Sequence, residues 1–174
     1  DAVPGWFQPV LAIYDARGNA LAYNDDYRFK PDPTIFFEVP QDGEYAFTIT
    51  DAIYRGREDF VYRVSIGELP FVTSIFPLGG RAGTTISVQM KGWNLEGARI
   101  AAPGPDAPPQ LYALAAGGAD SLVSNRVPFA LDTQPEVFEE EPNNDVAHAR
   151  AVDIPVIVNG RIDRPDDWDV FRVD

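Results

Sequence analysis

Cysteine is absent from the 174 residues, and histidine occurs once, at His148. Without thiols there are no disulfides, no thiolate metal sites and no cysteine nucleophile. A single imidazole leaves little for a zinc enzyme or a Ser-His-Asp triad. Positive charge is also scarce: Lys and Arg total 14 against 27 Asp and Glu, a net charge of −13. Such a chain repels a phosphate backbone, so nucleic acid is a poor partner. No apolar run approaches the roughly 18 residues of a membrane helix, which speaks against membrane insertion. The chain opens at Asp1 with no basic stretch and apolar core, so a secretion signal has been removed or was never in this segment.

What is plentiful is punctuation. Sixteen Pro and 14 Gly interrupt the chain every few residues, and apolar residues rarely recur at helical spacing. This predicts an all-β protein with little or no helix. Charge then divides it. Residues 1–70 carry 6 basic and 12 acidic residues, 71–132 carry 4 and 4, and 133–174 carry 4 and 11. Two acidic flanks surround a neutral middle, and the junctions Gly67-Glu68-Leu69-Pro70 and Asp132-Thr133-Gln134-Pro135 have linker composition. Three domains or part-domains are expected: 1–69, 70–132 and 133–174.

In the first, Val10–Tyr14 reads as a buried strand, Asp15–Asn19 as a turn and Ala20–Tyr23 as its hairpin partner. Thr34–Val39, Glu44–Ile49 and Asp59–Ile66 read as further strands, the last two alternating polar and apolar residues. About five strands in some 70 residues is a sandwich pattern. The middle segment offers strands at 70–77, 85–90, 111–114 and 127–131, a bend at 92–95, and loops at 101–109 and 115–120. The third has a strand-like 156–158, a hairpin or turn signal at Asn159-Gly160, and alternation from Val170 to Asp174. Both ends read as cut from something longer, and unpaired strand edges invite another chain.

These residues resemble known families. Glu141-Pro142-Asn143-Asn144, then Ala147, Ala149, Gly160, Asp166, Asp169 and Phe171, is similar to the opening of a bacterial pre-peptidase C-terminal (PPC) domain. Leu11-x-Ile13-Tyr14-Asp15-x-x-Gly18, Asn24-Asp25-Asp26 and Val39-Pro40-x-Asp42-Gly43-x-Tyr45 resemble that family's closing half. Between them Pro77, Gly79-Gly80, Gly83-Thr84, Gly92 and Asn94-Leu95 resemble the IPT/TIG immunoglobulin-like family. The resemblance implies β-sandwich modules, jelly-roll-like and Ig-like, arranged as a half-domain, a domain and a half-domain.

It also implies calcium. Hard divalent cations take 6 to 8 oxygen ligands, and Glu139, Glu141, Asn143 and Asn144 offer oxygens from one extended stretch that Asp166 and Asp169 close. PPC domains beside bacterial collagenases bind calcium at the matching positions, with Asp where this chain has Asn144. The alternative is a solvated acidic linker. Asn24-Asp25-Asp26 with Asp32 reads as turn chemistry. Trp6, Trp93 and Trp168 read as core or junction residues, and His148 as part of a short turn.

The expected role is non-catalytic: a structural or accessory segment of a larger secreted, periplasmic or cell-surface bacterial protein, rigidified by calcium. Its partners would be neighbouring domains or like subunits. One alternative is a substrate-docking or folding-aid region of a secreted hydrolase or protease, facing a polymeric extracellular substrate. Another is a self-assembling subunit that completes its sandwich by strand exchange.

Overall fold

The computed structural model describes residues 7–118 and 122–173. None of them is helical, and the chain is all-β. It divides into two compact units, Asp1–Gly67 and Glu68–Asp174. The division falls in the Gly-Glu-Leu-Pro stretch where the charge changes, whereas residues 68–132 and 133–174 form one unit.

The first unit is built on β1 (Pro9–Asp15), β2 (Ala20–Asn24) and β3 (Tyr45–Asp51), in sheet order β2-β1-β3 with both pairings antiparallel. The β1–β2 connection follows from its residues. The Asp15 carboxylate accepts from the Arg17 and Asn19 backbone N–H groups at 2.9 and 2.8 Å. Gly18 supplies φ +83°, a conformation side chains resist. Phe7, Val10 and Ala12 are buried, and Phe7 stacks on Phe60 with 5.3 Å between ring centroids.

A polar staple closes this unit. Asp51 is buried and accepts from the backbone of Gln8, Ile53 and Arg55 and from Arg55 Nε and Nη2 at 2.9 and 3.0 Å. The Arg55 side chain foremost holds this carboxyl well below the usual carboxylate range.

Two expected strands do not form: residues 34–39 and 59–66 pair with no ladder. Thr34 instead offers its carbonyl to Asn24 Nδ2 at 2.6 Å, and Phe37 meets Tyr45 edge-on at 5.8 Å. Alternation marks a segment able to bury one face, but strand structure also requires a partner backbone.

The second unit contains β4 (Phe71–Phe76), β5 (Gly79–Arg81), β6 (Gln89–Trp93), β7 (Arg99–Ile100), β8 (Gln110–Leu114), β9 (Ala116–Gly117), β10 (Val127–Asp132), β11 (Glu136–Phe138), β12 (Arg150–Val152), β13 (Ile157–Asn159) and β14 (Phe171–Val173). Sheet β5-β10-β8 and the antiparallel pairs β4-β6 and β7-β9 enclose its core. Val72, Ile75, Ala116, Phe129 and Leu131 form that core, with Ile86, Val88, Met90 and Leu95 packed around it.

The second strand of the β4–β6 pair lies further along than its alternation suggests. It takes in Gly92 and Trp93, which read as a bend, while residues 85–88 join no ladder. Trp93 stacks on Phe71 across the pair at 5.2 Å.

Residues 133–174 form two parallel pairs, β11-β13 and β12-β14. Asn159-Gly160 therefore makes no hairpin. It ends β13 and opens the loop on which the acidic residues converge.

Candidate metal centre

Register positions the first donor. β11 and β13 pair Phe138 with Asn159, and the Glu139 N–H extends the ladder by donating to the Asn159 carbonyl at 2.9 Å. Glu139 thus leaves the strand beside Gly160 and Arg161. Its Oε1 accepts from the Arg161 backbone N–H at 2.5 Å. A Cβ at position 160 would lie 2.6 Å from Glu139 Oε2 and 3.2 Å from Asp169 Oδ2. A side chain there would have to displace the Glu139 carboxylate from its present place.

The Glu-Pro-Asn-Asn stretch supplies the second and third parts. Glu141 Oε2 accepts from the Asn143 N–H at 3.2 Å and from Asn144 Nδ2 at 3.3 Å. The two asparagines in turn grip the last loop: Asn144 Oδ1 accepts from the Trp168 N–H and the Asn143 carbonyl from the Val170 N–H, both at 2.9 Å. These bonds bracket Asp169 and hold it against the Glu-Pro-Asn-Asn stretch.

One carboxylate oxygen each from Glu139, Glu141 and Asp169 lies within 4.8 Å of the others. Asn143 is completely buried, and neither its Oδ1 nor its Nδ2 has a hydrogen-bond partner. Glu139 Oε2 and Asp169 Oδ1 are likewise buried and unpartnered. Buried polar groups are nearly always satisfied, and an unsatisfied one costs about 1–3 kcal/mol. Burial pushes the Glu139 carboxyl above its ordinary range, against the Arg161 N–H, and the negative charges of Asp169 and Asp163 add to the rise. Packed acidic groups with orphaned oxygens fit a bound cation.

The other sequence candidates stand differently. Asp166 is exposed and outside the cluster: it takes φ 61° in the turn that Pro165 begins, closed by the Asp167 N–H on the Arg164 carbonyl at 3.3 Å. Asn144 spends its side chain positioning Glu141 and Trp168. Asp167, which sequence reading passed over, is the buried acid of the loop; its Oδ2 accepts from the Asp163 N–H at 2.7 Å. An Asp four residues after Asp163 across a Pro-containing turn is its only sequence signal. His148 sits in an exposed turn with Asp145, 2.8 Å from Nδ1 to Oδ1.

Trp168 is 67% exposed, not a core residue, and Trp6 lies outside the described residues. Asp25, Asp26 and Asp32 join no metal-type cluster found among the described residues.

The centre is also tied to the sheet beneath it. The Arg161 guanidinium lies 3.8 Å from the centroid of the Phe76 ring and donates to Gln89 Oε1 at 3.0 Å. Phe76 meets Phe138 edge-on at 5.8 Å.

Comparison with known proteins adds no relative: no family model, no curated protein and no solved structure matches the chain.

Proposed function

We propose that residues 133–174 bind a calcium ion and that the chain is a non-catalytic structural segment of a secreted or cell-surface bacterial protein. The observation that carries this reading is the convergence of Glu139, Glu141 and Asp169 beside the buried, unpartnered Asn143 amide. The donors are all oxygen, which favours a hard cation over zinc or copper. A site built from several protein oxygens suits calcium better than magnesium, which usually keeps several waters.

Glu139, Glu141, Asp169 and the Asn143 side-chain oxygen would hold the ion, which would supply charge neutralisation. Arg161 gives that a mechanical consequence, because its backbone orients Glu139 while its side chain grips Phe76 and Gln89. The ion would stiffen the connection between residues 133–174 and sheet β4–β6. The resemblance to PPC and IPT/TIG modules is part of the same proposal and would make the β-pairs parts of sandwiches.

Calorimetric titration with calcium tests the reading. One ion per chain is expected, with binding lost in Glu141→Gln combined with Asp169→Asn. No heat, or binding that survives the double substitution, overturns it.

A further inference from the structure

The sequence has one Asn-Gly pair, Asn159-Gly160, and it sits where β13 runs into the acidic loop. The pair carries a chemical liability. Asparagine is a thermally labile residue, and the labile step is attack by the following backbone nitrogen on the side-chain carbonyl carbon. That attack is least hindered when the nitrogen belongs to glycine, which has no Cβ. In a strand, side chains stand roughly perpendicular to the sheet, so ring closure requires Asn159 to leave its strand conformation.

In the folded chain three bonds oppose that rotation. Asn159 is buried, and its Nδ2 donates to Glu136 Oε2 at 3.0 Å. Its carbonyl accepts from the Glu139 N–H at 2.9 Å. Beyond Gly160, the Arg161 N–H donates to Glu139 Oε1 at 2.5 Å. Two of the three bonds run through Glu139, one of the carboxylates assigned to the ion, and Gly160 lies against both Glu139 and Asp169. Whatever steadies Glu139 therefore steadies the Asn-Gly peptide.

We propose that Asn159 is a deamidation site guarded by the bound cation, an inference that rests on the calcium reading. Without the ion the packed carboxylates of Glu139 and Asp169 repel, and the bonds at Glu139 open locally. The Gly160 nitrogen then loses its proton to solvent and bonds to Asn159 Cγ. The bond from Cγ to the side-chain nitrogen breaks, and that nitrogen leaves as ammonia after taking up a proton. Water opens the resulting cyclic imide. Opening at Cγ gives aspartate, and opening at the main-chain carbonyl gives isoaspartate, whose main chain runs through Cβ and Cγ. Either product disables the site. Aspartate sets a carboxylate against Glu136, whose carboxyl burial already pushes up and the Asn159 amide draws back. Isoaspartate lengthens the main chain by a methylene and moves Gly160 away from Glu139 and Asp169. A joint left without calcium thus loses the means to take it up again.

Ageing the whole chain at mildly alkaline pH, with calcium or with EDTA, tests it when followed by unfolding, trypsin digestion and peptide mass analysis. Cleavage after Arg150 and Arg161 frees peptide 151–161, in which Asn159 is the only side-chain amide. A synthetic peptide of that sequence gives the unguarded rate. With EDTA the chain's peptide should gain the mass of an amide-to-acid exchange. At calcium about 100 times its dissociation constant the conversion should slow about 100-fold, while the synthetic peptide converts equally in both. Calorimetry on the aged chain should show calcium sites lost in proportion to conversion. Calcium that binds without slowing conversion overturns the guard and leaves the calcium reading standing. So does an Asn159 that survives in EDTA while the synthetic peptide converts. Converted chains that still take up calcium overturn the claim that the reaction disables the site. No heat of binding in the fresh chain overturns the calcium reading, and the guard with it.

Discussion

Residues 68–132 and 133–174 lie in one compact unit but are held together by different chemistry. In the former the fully buried large side chains are Val72 and Phe129, surrounded by aliphatic residues. In the latter every described buried side chain is polar: Asn143, Asn159 and Asp167. Burial of apolar surface stabilises the first without outside help. The second organises its loops by hydrogen bonds to side-chain amides and carboxylates, and leaves oxygens over. If those oxygens hold the proposed cation, the order of this region is conditional on the ion where its neighbour's is not.

The sharpest way to separate the two is to damage the apolar one. Phe129→Ala should cost about 3–5 kcal/mol, the range for emptying a fully buried aromatic site. Denaturant unfolding should show this loss at the same size with calcium or with EDTA; a loss that calcium repairs would mean the two regions are not distinct in the way described.

A somewhat smaller effect is expected from the ion. Calcium at about 100 times its dissociation constant should stabilise the 133–174 region by about 2.7 kcal/mol, read as slowed amide exchange at Glu139 and Arg161. Gly160→Ala comes next. The new Cβ crowds Glu139 Oε2 and Asp169 Oδ2, and overpacking of this kind costs about 1–3 kcal/mol. The expected result is a calcium affinity weakened by about tenfold or more, with the melting of the Phe129 core unchanged. Replacing Arg161 by Ala should remove the contact with Phe76, worth about 0.5–2 kcal/mol. Calcium should still bind, but no longer slow exchange in β6.

The smallest effect belongs to the first unit and its Asp51–Arg55 pair. The Asp51 pKa is depressed in the folded chain, so its contribution is fully present above the unfolded carboxylate value and is lost as pH falls through the folded one. From pH 8 to about pH 5 this contribution should not change, declining only in stronger acid. Thermal melts of the wild type and Asp51→Asn check it: the difference between them should be constant over the neutral range and vanish in strong acid.

Much of this was legible in the sequence, and unevenly so. The strands at 9–15, 20–24, 110–114 and 127–132 answer to short apolar stretches beside turn residues, and β3 to the alternation of 44–49. Charge composition marks the boundary near Gly67. Glu139, Glu141 and Asn143 stand out because alternate positions of an extended stretch share a face; of Asp166 and Asp169, expected to close the shell, only Asp169 lies in the cluster. Apolar residues between turn signals suggested 34–39 and alternation suggested 59–66, where no ladder forms, because partner strands are a long-range property. Asp166 and Asp167 are adjacent acids, and only the turn started by Pro165 decides which is buried. The parallel pairing of β11 with β13 has no local signature, since Asn-Gly by itself favours a hairpin.

Amide exchange of the whole chain, with calcium and then with EDTA, tests the central contrast most directly. The account predicts a gain of protection with calcium in residues 137–144 and 157–170 and, through Arg161, in β6, and none at Val72, Phe129 and Leu131. Equal protection in both conditions, or a uniform change along the second unit, would contradict it.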